Sequence, residues 1–268
     1  MKRRDFFTTS AAAGLALGMT GLAQGAEGAD GKDLCVLSKF SFASPEKLEA
    51  YAKFLEDAVP ALNRAGVKPV GVFRVLKEDN PKLKLEENPN ELWLLLPHKS
   101  LESVVTLMGR LADDPAFNSA EAEAILMAPK SDPAYERFES SLLLAFDGMR
   151  QLEVHSEKDT RVVQVRIYES HSIERHLKKV SMFNEGGEIQ IFREAGMNPV
   201  FFGQALVGPL LPNLTYILQF DDMEALDAGW AAFRNHPDWK TLSKDPQYKD
   251  TVSRITNMVM RPLPASQI

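Results

Sequence analysis

Cysteine is all but missing from this chain of 268 residues, with Cys35 the single example. No internal disulfide can form, and no cluster of cysteine and histidine supports zinc. Cys35 lies in an apolar run and reads as a core residue rather than a nucleophile. Histidine is sparse as well, at five residues: His98, His155, His171, His176 and His236. His171 and His176 stand five apart, which does not place two ligands on one helical face, so no metal site is expected. G-x-S-x-G, P-loop and G-x-G-x-x-G motifs are absent, and no cofactor is predicted. Basic charge is in deficit, with 31 Lys and Arg against 37 Asp and Glu, a net of −6. The first 25 residues hold three basic and one acidic side chain, so subtracting their +2 leaves the remainder near −8. Such a surface excludes general binding to nucleic acid or anionic membrane. Long apolar runs are missing too. The longest, from Ala11 to about Ala23, falls short of the roughly 20 residues that span a bilayer.

What is present begins with that segment. Lys2, Arg3 and Arg4 precede Phe6 and Phe7, and the short apolar stretch ends in Ala23-Gln24-Gly25, small residues where a signal peptidase reads. Residues 1–25 resemble a twin-arginine export signal, which implies a periplasmic or equivalent outer compartment and export of the folded chain. The alternatives are an uncleaved anchor or a chance basic start. The segment is set aside from fold reasoning, and no membrane span remains once it is removed.

The remainder reads as two copies. Asn63-Arg64-Ala65-Gly66-Val67-Lys68-Pro69-Val70 matches Arg193-Glu194-Ala195-Gly196-Met197-Asn198-Pro199-Val200 at an offset of 130. Leu34 to Phe40 resembles Val162 to Tyr168, and Asp114-Pro115-Ala116-Phe117 resembles His236-Pro237-Asp238-Trp239. Tyr135 to Phe146 resembles Tyr248 to Val259. Four matches in one order predict an internal duplication. The first copy carries a longer polar loop, Lys77 to Glu91.

Each copy predicts strand, helix, strand, strand, helix, strand. Arg161 to Glu169 alternates as a strand with two faces. Residues 172–195 are helical in two pieces, Asn198 to Val207 and Leu214 to Phe220 are strands, and Thr251 to Met260 is the last. Asp221 with Glu224 forms a capping-box pattern ahead of Met223, Leu226, Trp230 and Phe233. Ser44 and Pro45 open the first helix, whose stripe is Leu48, Tyr51, Leu55, Val59 and Leu62. Pro60 is expected to interrupt it where Gly186 and Gly187 interrupt its counterpart. The fold class is therefore α+β: two tandem ferredoxin-like domains of βαββαβ order, residues 33–150 and 160–268, forming an α/β-barrel-like pair.

Residues Val180 to Ile189, Asn198 to Gly203, Pro212 to Tyr216 and His236 to Trp239 together resemble the NIPSNAP family. The resemblance covers about residues 161–268. It implies a dimeric α/β-barrel type of fold and a family whose biochemical activity is not settled. Self-association is allowed by that fold.

On the strand Val163 to Tyr168, Val163, Val165 and Ile167 form one face, expected to meet the helices. Gln164, Arg166 and Tyr168 form the other, expected to point into the barrel. Arg166, Tyr168, Gln164 and Tyr216 are the candidate ligand-binding residues, suited to a carboxylate or an oxygenated small molecule. A filled interface between sheets is the alternative. Tyr168 and His171 are the candidate catalytic residues, His171 because its ordinary pKa lies near neutrality; a solvent-exposed cap competes with that reading. Glu185 and Glu188 fit paired carboxylates or a solvated turn. The leading expectation is an exported small-molecule-binding or scaffold protein. Its rival is a cofactor-independent oxygenase or isomerase using a barrel cavity.

Overall fold

The computed structural model describes residues 31–268. The export-signal reading of residues 1–25 lies outside them. The first half contains β1 (Leu34–Ser41), α1 (Pro45–Arg64), β2 (Gly71–Val75), β3 (Glu91–His98), α2 (Leu101–Ala112), α3 (Ala120–Leu126) and β4 (Arg137–Ala145). The second contains β5 (Val162–Glu169), α4 (Ile173–Asn184), α5 (Glu188–Glu194), β6 (Asn198–Val207), β7 (Asn213–Phe220), α6 (Met223–Asn235), α7 (Pro237–Leu242) and β8 (Arg254–Pro262). The eight strands close into one barrel in the order β1-β3-β2-β8-β5-β7-β6-β4. Every pairing is antiparallel. Within that ring each half supplies four adjacent strands along the same path, β4-β1-β3-β2 and β8-β5-β7-β6. The β2–β8 and β4–β6 seams join them.

Local signals account for most boundaries. Ser44, in extended conformation, accepts from the Lys47 N–H and caps α1, with Pro45 in the first turn. Pro60 lies inside α1 without ending it, contrary to expectation. The residue is exposed, so the Glu56 carbonyl that loses its partner also faces water, and the remaining turns are held by the buried stripe. At α6 the cap is Asp222, which accepts from the Ala225 N–H at 2.8 Å. Asp221 instead takes bonds from Ser156 and Lys158.

Three apolar layers result. One packs α1, α2 and α3 on the first-half sheet, from Phe40, Tyr51, Phe54, Leu62 and Leu111 among others. A second packs α4, α5 and α6 on the second-half sheet. The third fills the barrel, with Cys35, Leu37, Phe73, Leu95, Leu143, Val163, Val165, Phe201, Ile217 and Met260. Cys35 is fully buried there, and burial pushes its thiol pKa well up. Ile268 plugs one end of this interior and has no exposed surface.

The position of Val163 and Val165 inside the barrel reverses the face assignment read from sequence. Gln164, Arg166 and Tyr168 point outward, toward the helices. Alternation established two faces but carried no sign, because both faces of this sheet are covered.

Candidate functional site between the second-half sheet and its helices

The strand register builds the site. On the outward face Arg166 lies directly between Tyr216 of β7 and Asn257 of β8. Gln164 and Tyr168 are its neighbours two residues either way. α6 crosses above, and its stripe lowers Trp230 onto this row. The Trp230 indole N–H donates to Gln164 Oε1 at 2.7 Å, and Gln164 Nε2 donates to Asn257 Oδ1 at 2.8 Å. The Tyr168 and Tyr216 hydroxyls share a hydrogen bond of 3.1 Å.

Arg166 is the charged centre. Its guanidinium carbon stands 4.6 Å from the Trp230 ring centre, 5.3 Å from Tyr168 and 5.8 Å from Tyr216. Aromatic faces stabilise such a cation without neutralising it. Among the described residues no carboxylate forms an ion pair with it, and its buried Nε has no hydrogen-bond partner.

A second charge pair lies alongside. Lys179 of α4 and Glu188 of α5 meet at 2.8 Å with side chains only 6% and 3% exposed. Lys179 also sits 4.6 Å from the Phe183 ring centre and 5.6 Å from Tyr168. The reading of Glu188 as part of a solvated turn is thereby overturned. Gly187, at φ +80°, starts α5 immediately after the end of α4 and turns Glu188 inward. Gly186 is pressed against α4, where a Cβ would come within 2.5 Å of the Met182 carbonyl oxygen. The two glycines are thus a structural corner that places a buried carboxylate.

These groups border a cavity of about 540 Å³. Gln164, Arg166, Tyr168, Tyr216 and Glu188 form its floor, with Trp230, Asp227 and Arg234 of α6 on one side. Residues Glu78 to Leu83, from the long first-half loop, form the opposite wall. That loop is fastened to β8. Asn80 exchanges two hydrogen bonds of 2.8 Å with the backbone of Val259, and Asp79 takes a two-pronged ion pair from Arg261 at 2.7 and 2.8 Å. The corresponding layer of the first half is closed by apolar packing, and Ser38, which aligns with Arg166 at an offset of 128 residues, bonds to Ser140.

All four residues expected to bind a ligand therefore face one cavity, which lies outside the barrel. His171 does not join them; it is exposed at the end of β5, 3.6 Å from Asp250. Burial raises the Tyr168 hydroxyl above the ordinary phenol range, partly countered by Arg166 and reinforced by Glu188. Burial drives Tyr216 well above it, and Tyr168 adds to the rise. Both phenols are therefore neutral donors at ordinary pH, not bases. Sequence reasoning missed Lys179 and the loop wall, paired Glu188 with Glu185 rather than with Lys179, and read Trp230 as a helix stripe residue. A signal for Lys179 was present: it shares the buried face of α4 with His176, Met182 and Phe183. The loop Lys77 to Glu91 was legible as a loop, but nothing local marked it as a wall of this cavity.

One other group merits placement. Glu194, His236 and Asp238 bring three potential ligand atoms within 4.8 Å. His236 Nδ1 accepts from the Asp238 N–H and caps α7, so its Nε2 carries the proton and faces Glu194 at 3.3 Å. The arrangement is a helix-end hydrogen-bond relay.

The fold and cavity define a class, the closed antiparallel α+β barrels with helices packed outside each half-sheet. Residues 163–267 match the family model described as NIPSNAP. No curated protein matches the chain. Among solved structures, a Fusobacterium nucleatum protein provisionally named a monooxygenase is similar at 8% identity and a TM-score of 0.56, over 87% of this chain and 93% of that one. A Lactobacillus acidophilus protein, also provisionally named a monooxygenase, is similar at 10% identity and 0.54, over 86% and 94%. A Burkholderia xenovorans NIPSNAP-like domain protein is 21% identical over 41% of this chain and 91% of its own, with a TM-score of 0.37. At these identities the likeness is one of fold.

Proposed function

We propose that this protein binds a small molecule bearing a carboxylate, or a comparably anionic oxygen group, on a flat apolar body. The observation that carries the reading is Arg166: a half-buried cation without a carboxylate partner, ringed by three aromatic faces, on the floor of a cavity. An anion there recovers the interaction that the folded chain leaves unmade. Trp230, which is partly exposed, offers a flat surface to an aromatic or conjugated body. The rival reading, an oxygenase or isomerase without a cofactor, draws on the fold alone. The base candidates read from sequence do not serve it, since the Tyr168 phenol is held neutral and His171 faces solvent.

Benzoate and benzyl alcohol test the proposal as matched probes, followed by Trp fluorescence and calorimetry. Benzoate is expected to bind at least tenfold more tightly, and Arg166→Gln to erase that difference while leaving the melting curve cooperative. Equal binding of the two probes, or retained preference in Arg166→Gln, overturns the assignment.

We further infer that residues 33–150 and 160–268 are duplicated ferredoxin-like units, on the support of their identical strand paths. Residues 1–25 are proposed as the export signal, to be tested by the intact mass of protein recovered from the periplasm.

A further inference from the structure

The floor of the Arg166 cavity has hydrogen-bond donors left over. Asn257, Arg166 and Tyr216 lie side by side there, because Arg166 of β5 pairs with Asn257 of β8 and with Tyr216 of β7. Directly opposed side chains in such ladders start roughly 5 Å apart. The acceptors around this row are already engaged. The Trp230 N–H occupies Gln164 Oε1, and Gln164 Nε2 occupies Asn257 Oδ1. Glu188 accepts from Lys179, and among the described residues no hydrogen bond joins it to either phenol. Asn257 thus keeps its amide N–H groups, and the buried Arg166 Nε has no partner.

The two phenols carry the same surplus. Tyr168 and Tyr216 share a single hydrogen bond of 3.1 Å, and each hydroxyl has one proton to give. Whichever one donates, the proton of the other has no acceptor among the described residues. Tyr216 has no exposed surface, so a Tyr216 proton turned away from Tyr168 would be buried and unpaired. Tyr216 therefore donates to Tyr168, and the Tyr168 proton is left for the cavity that both residues line. Burial holds that proton on its oxygen at ordinary pH, and the Arg166 cation acts on the same hydroxyl. The spare O–H and the unpaired guanidinium thus stand together.

We propose that the ligand of this cavity is an aryl 2-oxo acid, with its carboxylate on Arg166 and its adjoining carbonyl oxygen accepting the Tyr168 O–H. The proposal rests on the anion-binding reading above and narrows it. A simple carboxylate engages Arg166 and leaves the phenol proton unmatched. A carbonyl on the next carbon sets one more acceptor beside the carboxylate. A hydroxyl in that place would bring a further proton to a floor that already has too many, whereas the oxo group brings none. Tyr168 then selects among acids that Arg166 alone would treat alike.

The test titrates the full chain with phenylglyoxylate and phenylacetate, followed by calorimetry. These acids share a ring and a carboxylate and differ only in C=O against CH2 at the joining carbon. Phenylglyoxylate is expected to bind about tenfold more tightly, the worth of one buried hydrogen bond. Tyr168→Phe should bring that ratio to about one. Tyr216→Phe should preserve it, since the Tyr168 proton stays free, and a mere packing effect of losing a hydroxyl would not separate the two variants. Arg166→Gln should weaken both acids by similar factors. A ratio near one in the parent chain, a ratio that survives Tyr168→Phe, or one lost equally in both phenol variants overturns the proposal. In those cases the anion reading still stands if Arg166→Gln weakens phenylacetate. Binding of neither acid, or binding indifferent to Arg166→Gln, overturns the anion reading and this proposal with it.

Discussion

At the scale of single residues, the second half contains two buried charged motifs with opposite energetics. Lys179 and Glu188 compensate one another, and each is desolvated. Removing one partner strands the other in a low-dielectric layer, which typically costs 3–5 kcal/mol. Lys179→Met should therefore lower the free energy of unfolding by about 3–5 kcal/mol in urea titrations, and Lys179→Met with Glu188→Leu should recover most of that loss. A loss below about 1 kcal/mol for the single change would mean that the pair is hydrated. Arg166 differs because its compensation comes from ring faces, leaving its charge available. Sequence revealed Arg166 and Tyr168 as same-face neighbours. It did not reveal Glu188 as buried, because a carboxylate three residues after Glu185 looks identical whether the turn is wet or dry. Only the corner at Gly186 and Gly187, packed against Met182 and Leu242, decides that.

At the scale of elements, the junctions are where the chain is most tightly specified. Asn80 acts as a strand residue in a loop, satisfying the N–H and C=O of Val259 with its amide and bonding Leu76 as well. Asn80→Ala leaves two buried backbone groups without partners and should cost about 2 kcal/mol. Limited proteolysis should then cut within residues 77–88 far faster than in the parent chain; unchanged cleavage would show that Asp79 alone holds the loop. Between β3 and α2, His98 is buried against Ser103, which it meets at 3.0 Å. Burial first, then the charge of Arg110, lowers its pKa to about 4 from 6.5. Above 6.5 both folded and unfolded imidazoles are neutral, and the full stability is present. As pH falls from 6.5 toward 4 the unfolded chain takes up a proton that the folded one refuses, so stability declines. The loss should total on the order of 3 kcal/mol by pH 4. His98→Asn should show a smaller decline over that window in unfolding titrations, and identical slopes would refute the assignment.

At the scale of the whole molecule, neither half is self-sufficient. Val163, Val165, Val200, Phe201, Ile217 and Met260 from the second half are buried against Cys35, Leu37, Phe73, Leu95 and Leu143 from the first. Residues 160–268 alone would expose that face and leave the edges of β6 and β8 unpaired. The isolated segment is expected to self-associate in sedimentation analysis, and a stable, cooperatively folding monomer would contradict this. The cavity at Arg166 is likewise composite, since Glu78 to Leu83 wall a floor belonging to the other half.

The sequence by itself determined the element order, the two-faced strands, the resemblance of residues 163–267 to the NIPSNAP family and the residue types on the floor of the cavity. These are local or near-local properties, carried by periodicity, caps and turn residues. Which face of β5 looks into the barrel was decided only in three dimensions, and so was the continuity of α1 through Pro60. Both faces of a closed, helix-covered sheet are apolar environments, so alternation alone cannot say which is inside. The long loop gains meaning the same way, from residues far apart in the chain that barrel closure brings within a few ångströms.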